Sequence, residues 1–242
     1  MVIPILNEVD NVSALIERLR KSMDETEFIF VDDGSNDGTR EAIKAASLKN
    51  DKFISIFNER RLGHMGSYLK GIKKASSDMI VIMDGDLQHP PEKLGEFYAA
   101  FVEGKDIIVG TRYEGKKFIG ERNRIRGLLS RGAGALLKFF VKDCRKFSDP
   151  LSGFIGFRRG LEIPVRPEMK GNKLLPFLIV SNPNAKVGYV TYKFSERVHG
   201  KSKIVGVDSS FIIKFLREIM DIRKVRKTYQ NWTVSDEASG PI

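Results

Sequence analysis

Cysteine and histidine are scarce: 242 residues contain one Cys, Cys144, and three His. A lone thiol can make neither an internal disulfide nor a cysteine-based zinc site, and His64, His89 and His199 lie too far apart for zinc-ligand spacing. Nothing asks for an oxidising compartment, so the expected location is the cytosol or a cytosolic membrane surface. Long apolar runs are missing too. The best, Leu174 to Ala185, is interrupted by Pro176 and Pro183 and falls short of the ~18 residues a membrane span needs. The opening Met1-Val2-Ile3-Pro4 runs into strand-like sequence with no charged n-region or apolar h-region, so no signal peptide is read there. Three catalytic signatures are also absent. Without a Gly-x-Ser-x-Gly elbow an α/β-hydrolase is excluded, and without a P-loop or a Gly-x-Gly-x-x-Gly fingerprint so are an ATPase and a dehydrogenase.

What is present is ordinary globular composition, 41% apolar, with a net charge of +10. The excess is local. From Arg112 to Lys146 eleven basic residues face three acidic ones, so this stretch alone carries +8. Such a block fits a solvated face, or a polyanionic partner: nucleic acid, an anionic membrane surface or a phosphorylated substrate.

Hydrophobic periodicity sets the fold class. Val2-Ile3, Phe28 to Val31, Phe53 to Phe57, Met79 to Met83 and Asp106 to Gly110 read as strands. Between them lie helical stripes: Val12, Leu15, Ile16 and Leu19; a helix from Asp37-Gly38-Thr39 toward Lys49; one from about Gly66 to Ala75; and Leu94, Phe97, Tyr98 and Phe101. This alternation predicts an α/β fold, a mostly parallel sheet with helices on both faces. Farther along, residues 121–140 read as an amphipathic helix, Gly153 to Phe157 and Val187 to Phe194 as a strand pair, and Ile212 to Met220 as a second amphipathic helix. The expected division is one domain over 1–222, then a basic and polar tail over 223–242 without order.

Parallel sheets bind ligands at the carboxyl ends of their strands. Three polar clusters fall there: Pro4-Ile5-Leu6-Asn7-Glu8, Asp32-Asp33-Gly34-Ser35-Asn36-Asp37-Gly38-Thr39, and Asp84-Gly85-Asp86-Leu87-Gln88-His89-Pro90-Pro91. Asp84 and Asp86 can turn toward one hard cation, with Gln88 adding a third oxygen; such a set with open positions suits Mg²⁺ or Mn²⁺ shared with substrate phosphates. An Asp-x-Asp by itself is more often a capped turn, but an apolar strand before it and Gln88 and Pro90-Pro91 behind it favour the metal reading. Asp37 and Thr39 read as a helix cap. Asp32 and Asp33, ending a buried strand, are placed to accept hydrogen bonds from a nucleobase or ribose. Arg60 to Gly66 offers basic groups and a helix start to a diphosphate. The three histidines read as structural or solvent residues.

These clusters, with Arg61-Leu62-Gly63, Gly110-Thr111-Arg112-Tyr113, Ser152-Gly153-Phe154 and Phe194-x-x-Arg197-x-x-Gly200-Lys201-Ser202-Lys203, resemble the dolichyl-phosphate mannose synthases, inverting nucleotide-sugar glycosyltransferases of GT-A fold. The likeness covers about residues 1–222 in the family's order and spacing. It implies a donor nucleotide held by Pro4, Leu6, Glu8, Val31, Asp32 and Asp33, and a cation and diphosphate held by Asp84, Asp86 and Gln88 with the backbone of Gly85. It also implies a lipid phosphate facing Arg112, Arg126 and Ser130, and a late loop carrying Arg197 and Lys203 over the donor. Asp86, Arg112, Arg126 and Ser130 would carry catalysis. Leu6 stands where the family commonly has an aromatic residue and Gly85 where it has Ala, which leaves the nucleotide open.

The resemblance therefore implies transfer of a hexose, first of all mannose from GDP-mannose, to a polyprenyl or dolichyl phosphate with inversion, on Mg²⁺ or Mn²⁺. UDP-glucose or UDP-GlcNAc is the rival donor. The implied setting is the cytoplasmic face of a membrane, with peripheral attachment and a possible membrane-protein partner, since many relatives append membrane helices where this chain has none. The Gln-x-x-Arg-Trp signature of processive polysaccharide synthases is missing. A nucleic-acid-binding module is the other class of reading. The basic block has few aromatics to stack on bases and no known binding motif, so no nucleic acid partner is expected.

Overall fold

The computed structural model describes residues 1–115, 117–120, 124–164, 173–195 and 209–236, with the backbone alone for 124–128, 209–211 and 230–236. In chain order the elements are β1 (Val2–Ile5), α1 (Val9–Ser22), β2 (Phe28–Asp32), α2 (Thr39–Lys49), β3 (Phe53–Phe57), α3 (Gly63–Lys74), β4 (Met79–Ile82), α4 (Leu94–Val102), β5 (Ile107–Thr111), β6 (Tyr113–Glu114), β7 (Lys117–Phe118), α5 (Arg124–Phe140), β8 (Ile155–Arg158), α6 (Leu175–Ser181), β9 (Val187–Thr191) and α7 (Ser209–Asp236). Seven strands form one sheet in the order β3-β2-β1-β4-β8-β5-β9, and β6 and β7 make a small separate hairpin.

Every pairing in the large sheet is parallel except those of β8, which runs antiparallel to both β4 and β5. The expected mostly parallel α/β sheet is therefore present, with the layers of a GT-A-like fold. The strands are buried on both faces because helices cover both. On one face α3, α6 and α7 supply Met65, Tyr68, Leu175, Leu178 and Ile219 to a core that includes Val31 and Ile82. On the other, α1, α2 and α4 supply Leu15, Leu19, Ile43, Phe97 and Phe101 against Ile3, Phe30 and Ile108.

Two expectations are corrected. The strands after Gly153 and Val187 are not partners: β8 sits between β4 and β5, and β9 joins the far edge of β5. Each segment is apolar enough for a strand, but its neighbour is chosen by chain routing rather than by local pattern. The second correction concerns the tail. The boundary expected at 222 falls inside α7, which runs to Asp236. Ile222 is buried, Arg226 pairs with Asp143, and Arg223 lies 5.9 Å over the ring of Phe140, so part of the basic cluster is tied back onto the domain.

Close approach fixes some glycines. A Cβ at Gly110 would meet the Phe154 carbonyl oxygen at 2.7 Å and the Phe154 side chain at 3.0 Å, whereas at Gly95, in α4, it would meet nothing within 4 Å. Gly110→Ala should therefore destabilise the protein by about 1–3 kcal/mol, from overpacking. Gly95→Ala should stabilise it by about 0.5–1 kcal/mol, through helix propensity. Urea titrations of the two variants check the opposite signs.

Candidate active site

The sheet opens where its strand order reverses. β1 pairs along its whole length with β2, from Val2↔Ile29 to Ile5↔Asp32, yet meets β4 through the single pair Val2↔Ile82. β4 ends at that pair, and the chain after it continues along β1, the Met83 N–H donating to the Val2 carbonyl at 3.1 Å. The crevice lies at the carboxyl ends of β1 and β4, the usual ligand position in an open α/β sheet. Gly85 rests against β1, a Cβ there falling 3.3 Å from the Ile5 side chain.

The acidic turn after β4 forms one wall. The Asp84 carboxyl is about one-third exposed, whereas Asp86 is buried and accepts the Gln88 N–H at 3.2 Å. Leu87 between them takes a left-handed φ of 63°, a costly conformation for a branched side chain that the buried turn enforces. Gln88 donates its side-chain amide to the Ser195 carbonyl at 3.3 Å. Gly153 lies close beside this turn: a Cβ there would stand 3.0 Å from Asp84 Oδ2, so the carboxyl would have to shift.

His89 anchors the turn. Its buried ring accepts the Asp84 N–H on Nδ1 at 3.2 Å, stacks on Phe154 at 5.3 Å, and meets Tyr192 and Phe194 edge-on. Burial lowers its pKa despite the nearby Asp84 and Asp86, so the imidazole is neutral and carries its proton on Nε2. His89 is thus a structural residue that braces the acidic turn, a role its neighbours along the chain do not signal.

Arg112, at the end of β5, forms the facing wall. Its guanidinium lies 5.4 Å over the Phe194 ring, and its Nε and Nη2 donate to the two oxygens of Asp149, both at 2.7 Å. Burial pulls its pKa down, but the hydrogen bonds and charge of Asp149 more than reverse this, so the net shift is upward. Asp149 is the residue that sequence reasoning missed. A buried carboxylate just past the basic block was the available signal. The Asp84 turn and the guanidinium are thus bridged by two rings, His89 and Phe194.

The second acidic cluster is hydrogen-bonded within the protein. Asp32 is fully buried and accepts from the N–H groups of Gly34 and Ser35 and from Arg40 Nε. Asp33 accepts from Asn58 Nδ2 at 2.9 Å and from the N–H groups of Leu62 and Gly63 at 2.8 and 2.9 Å. The start of α3, expected to face a diphosphate, is thereby capped by the protein's own carboxylate. Val31 is fully buried in the sheet core. The Asp37–Thr39 cap is present: Asp37 accepts from the N–H and hydroxyl of Thr39 at 3.0 and 2.6 Å. Thr39 Oγ1 in turn accepts the Glu8 N–H at 2.8 Å, and buried Glu8 accepts from Asn11 Nδ2. Leu6 is half-buried beside the crevice, and Ser130 is half-buried on α5. Arg197, Lys203 and the Arg126 side chain lie outside the described residues.

Asp84 and Asp86 fit a hard divalent cation by donor type: both are oxygen ligands, and the space at Gly153 keeps the Asp84 carboxyl approachable. No group of three or more His, Cys, Asp or Glu side chains that could hold a metal occurs among the described residues, so such an ion would need ligands from substrate and water.

Comparison with known proteins places this geometry. The model of the family described as glycosyl transferase family 2 matches residues 1–163. The chain is 31% identical over 227 residues to the dolichol-phosphate mannosyltransferase of Pyrococcus furiosus, covering 93% of this chain and 63% of that protein. It is 28% identical over 210 residues to the undecaprenyl-phosphate 4-deoxy-4-formamido-L-arabinose transferase of Aeromonas hydrophila, covering 84% of this chain and 61% of that one. It thus spans less than two thirds of either relative. Among solved structures, glucosyl-3-phosphoglycerate synthase from Mycobacterium tuberculosis, in complex with Mn²⁺, UDP and its product, aligns with a TM-score of 0.68. That alignment has 18% identity over 93% of this chain and 78% of the synthase, a likeness of fold.

If Asp33 is a scaffold residue, Asp33→Ala should lower the unfolding free energy by about 2 kcal/mol, because three donors lose their acceptor. Urea unfolding without any ligand reads this directly. An unchanged midpoint would return Asp33 to a purely ligand-binding role.

Proposed function

The chain belongs to glycosyl transferase family 2, and from that premise we propose that it transfers a hexose from a nucleotide sugar to a polyprenyl or dolichyl phosphate, with inversion at the sugar. The donor we assign is GDP-mannose. The observation that carries this reading is the facing of the Asp84–Asp86 turn by the Arg112 guanidinium across His89 and Phe194. One wall suits a cation-bound diphosphate and the other a second phosphate.

The chemistry needs little else. A polyprenyl phosphate, with a second pKa of about 6, is largely dianionic at neutral pH and is itself the nucleophile. No general base is required. What is required is control of charge, because two phosphates brought within a few ångströms repel unless positive groups stand between them. A Mg²⁺ or Mn²⁺ ion held by Asp84 and Asp86, with Gln88 beside them, would stabilise the departing nucleoside diphosphate when bound. Arg112, with Arg126 and Ser130 on α5, orients the acceptor phosphate toward the anomeric carbon. We also assign Arg197 and Lys203 to the donor, with Pro4, Leu6 and Glu8 at its nucleotide end.

The acceptor's lipid chain calls for a membrane. Among the described residues no helix is long and apolar enough to cross one. We assign instead a peripheral attachment on the cytoplasmic face, through α5 and α7. There Phe139, Ile212, Ile213 and Met220 are exposed beside Lys138, Lys214 and Arg217, a pairing of apolar and basic groups that suits an anionic bilayer surface. A membrane-protein partner would serve the same end. The second relative acts on another sugar by its name, so UDP-glucose and UDP-GlcNAc stay in the test as rival donors.

Offered a panel of nucleotide sugars with a prenyl phosphate and Mg²⁺ or Mn²⁺, the protein should form lipid-linked mannose from GDP-mannose and should stop when EDTA is added. Product from a UDP-sugar alone would overturn the donor, and no lipid-linked product from any donor would overturn the acceptor class. Asp86→Ala should lower turnover at least 100-fold without lowering Tm. Arg126→Ala should raise the KM for prenyl phosphate about tenfold and leave the donor KM in place. Equal effects on both KM values would contradict its assigned role.

A further inference from the structure

Tyr192, just past β9, is buried in the wall that joins the two sides of the crevice, and its hydroxyl makes no hydrogen bond among the described residues. Buried tyrosine hydroxyls usually find a partner, so a lone one beside a candidate site asks for a reason. The ring is held firmly. It stands edge-on to His89 at 5.6 Å and to Phe154 at 5.5 Å, and the Tyr192 N–H donates to the carbonyl of Thr111, the neighbour of Arg112, at 3.1 Å. Thr111 Oγ1 in turn lies 3.1 Å from Ser148 Oγ, next to Asp149. Tyr192 is therefore fixed beside the Arg112–Asp149 pair.

That pair poses a problem for the proposed reaction. Asp149 is almost fully buried and its charge is balanced by Arg112. A guanidinium that turns to a substrate phosphate abandons a buried carboxylate, and breaking a buried pair from one side is costly. The abandoned carboxylate needs another donor, and the Tyr192 hydroxyl, without a partner among the described residues, lies near enough to feel the Asp149 charge.

We propose that Tyr192 is a positioning residue: its hydroxyl takes over the Asp149 carboxylate when Arg112 turns toward the acceptor phosphate, so that the arginine is released without stranding a buried anion. The proposal rests on the acceptor reading given above and adds to it the residue that makes Arg112 available. Burial pushes the Tyr192 hydroxyl's pKa up, with Arg112 opposing and Asp149, Asp84 and Asp86 reinforcing, so the hydroxyl keeps its proton to donate. In the substrate-free arrangement the same hydroxyl is unsatisfied, which gives the test its sign.

The first arm is a thermal double-mutant cycle read without substrate. In the wild-type background, Tyr192→Phe should leave Tm unchanged or raise it, since it removes an unpaired buried donor. With Arg112→Ala the hydroxyl becomes the donor to Asp149, and adding Tyr192→Phe should lower Tm by about 4 °C or more. Arg112→Gln repeats the cycle should the alanine variant not fold. The same Tm change in both backgrounds overturns the proposal. The second arm uses geranyl phosphate as acceptor, for which Tyr192→Phe should raise the acceptor KM about tenfold with the donor KM unchanged; an unchanged acceptor KM overturns the hand-over during acceptor binding. Because the first arm needs no substrate, an enzyme inactive on every prenyl phosphate would sink the functional reading while the Tm cycle still decided the fate of Tyr192.

Discussion

The reversal of strand order between β1 and β4 is the constraint on which the rest depends. At such a switch point the turn after β1 and the turn after β4 lie side by side at the carboxyl edge of the sheet, where ligands of open α/β sheets bind. Here β4 pairs with β1 at Val2↔Ile82, and Gly85 lets the acidic turn settle against β1. Insertion of antiparallel β8 between β4 and β5 then sets the width of the site. It puts Gly153 and Phe154, which lead into β8, between the Asp84 turn and the end of β5. His89 stacks on Phe154, and Arg112 leaves β5 on the other side.

The acidic residues at the strand ends divide into two groups by what they bond to. Asp32, Asp33 and Asp37 are absorbed by turns and helix starts, where they satisfy N–H groups that would otherwise be orphaned. Asp84 keeps about a third of its side chain exposed while its N–H donates to His89 Nδ1 and its Oδ2 lies 3.9 Å from the same nitrogen. The same division separates Asp149, which is buried under Arg112, from the solvated acids of the surface.

Much of this was legible in the sequence, for identifiable reasons. β3, β4, α1 and α4 follow from apolar runs and 3.6-residue stripes because their burial is set by their own side chains. The place of β8 was not legible, because a strand's neighbours depend on how the chain returns to the sheet. α7 was read too short because the charges at 223–227 resemble a tail, yet Ile222 continues the buried stripe and Arg226 has Asp143 to meet. In the site, residue type revealed Asp84 and Asp86 as candidates, and the family resemblance added Arg112. It could not reveal that Asp33 caps α3, that Asp149 holds Arg112, or that Tyr192 lies beside them, since each of these facts joins residues tens of positions apart.

The central claim is that one crevice holds a cation on the Asp84–Asp86 turn close to a prenyl phosphate on the Arg112 side. The most direct test is ³¹P NMR of geranyl phosphate bound together with a nucleoside diphosphate, with Mn²⁺ as the paramagnetic probe. The account predicts strong relaxation of both the nucleotide and the prenyl phosphorus signals, lost from both in Asp84→Asn/Asp86→Asn. A prenyl phosphate that binds yet feels no Mn²⁺ while the nucleotide does would contradict it.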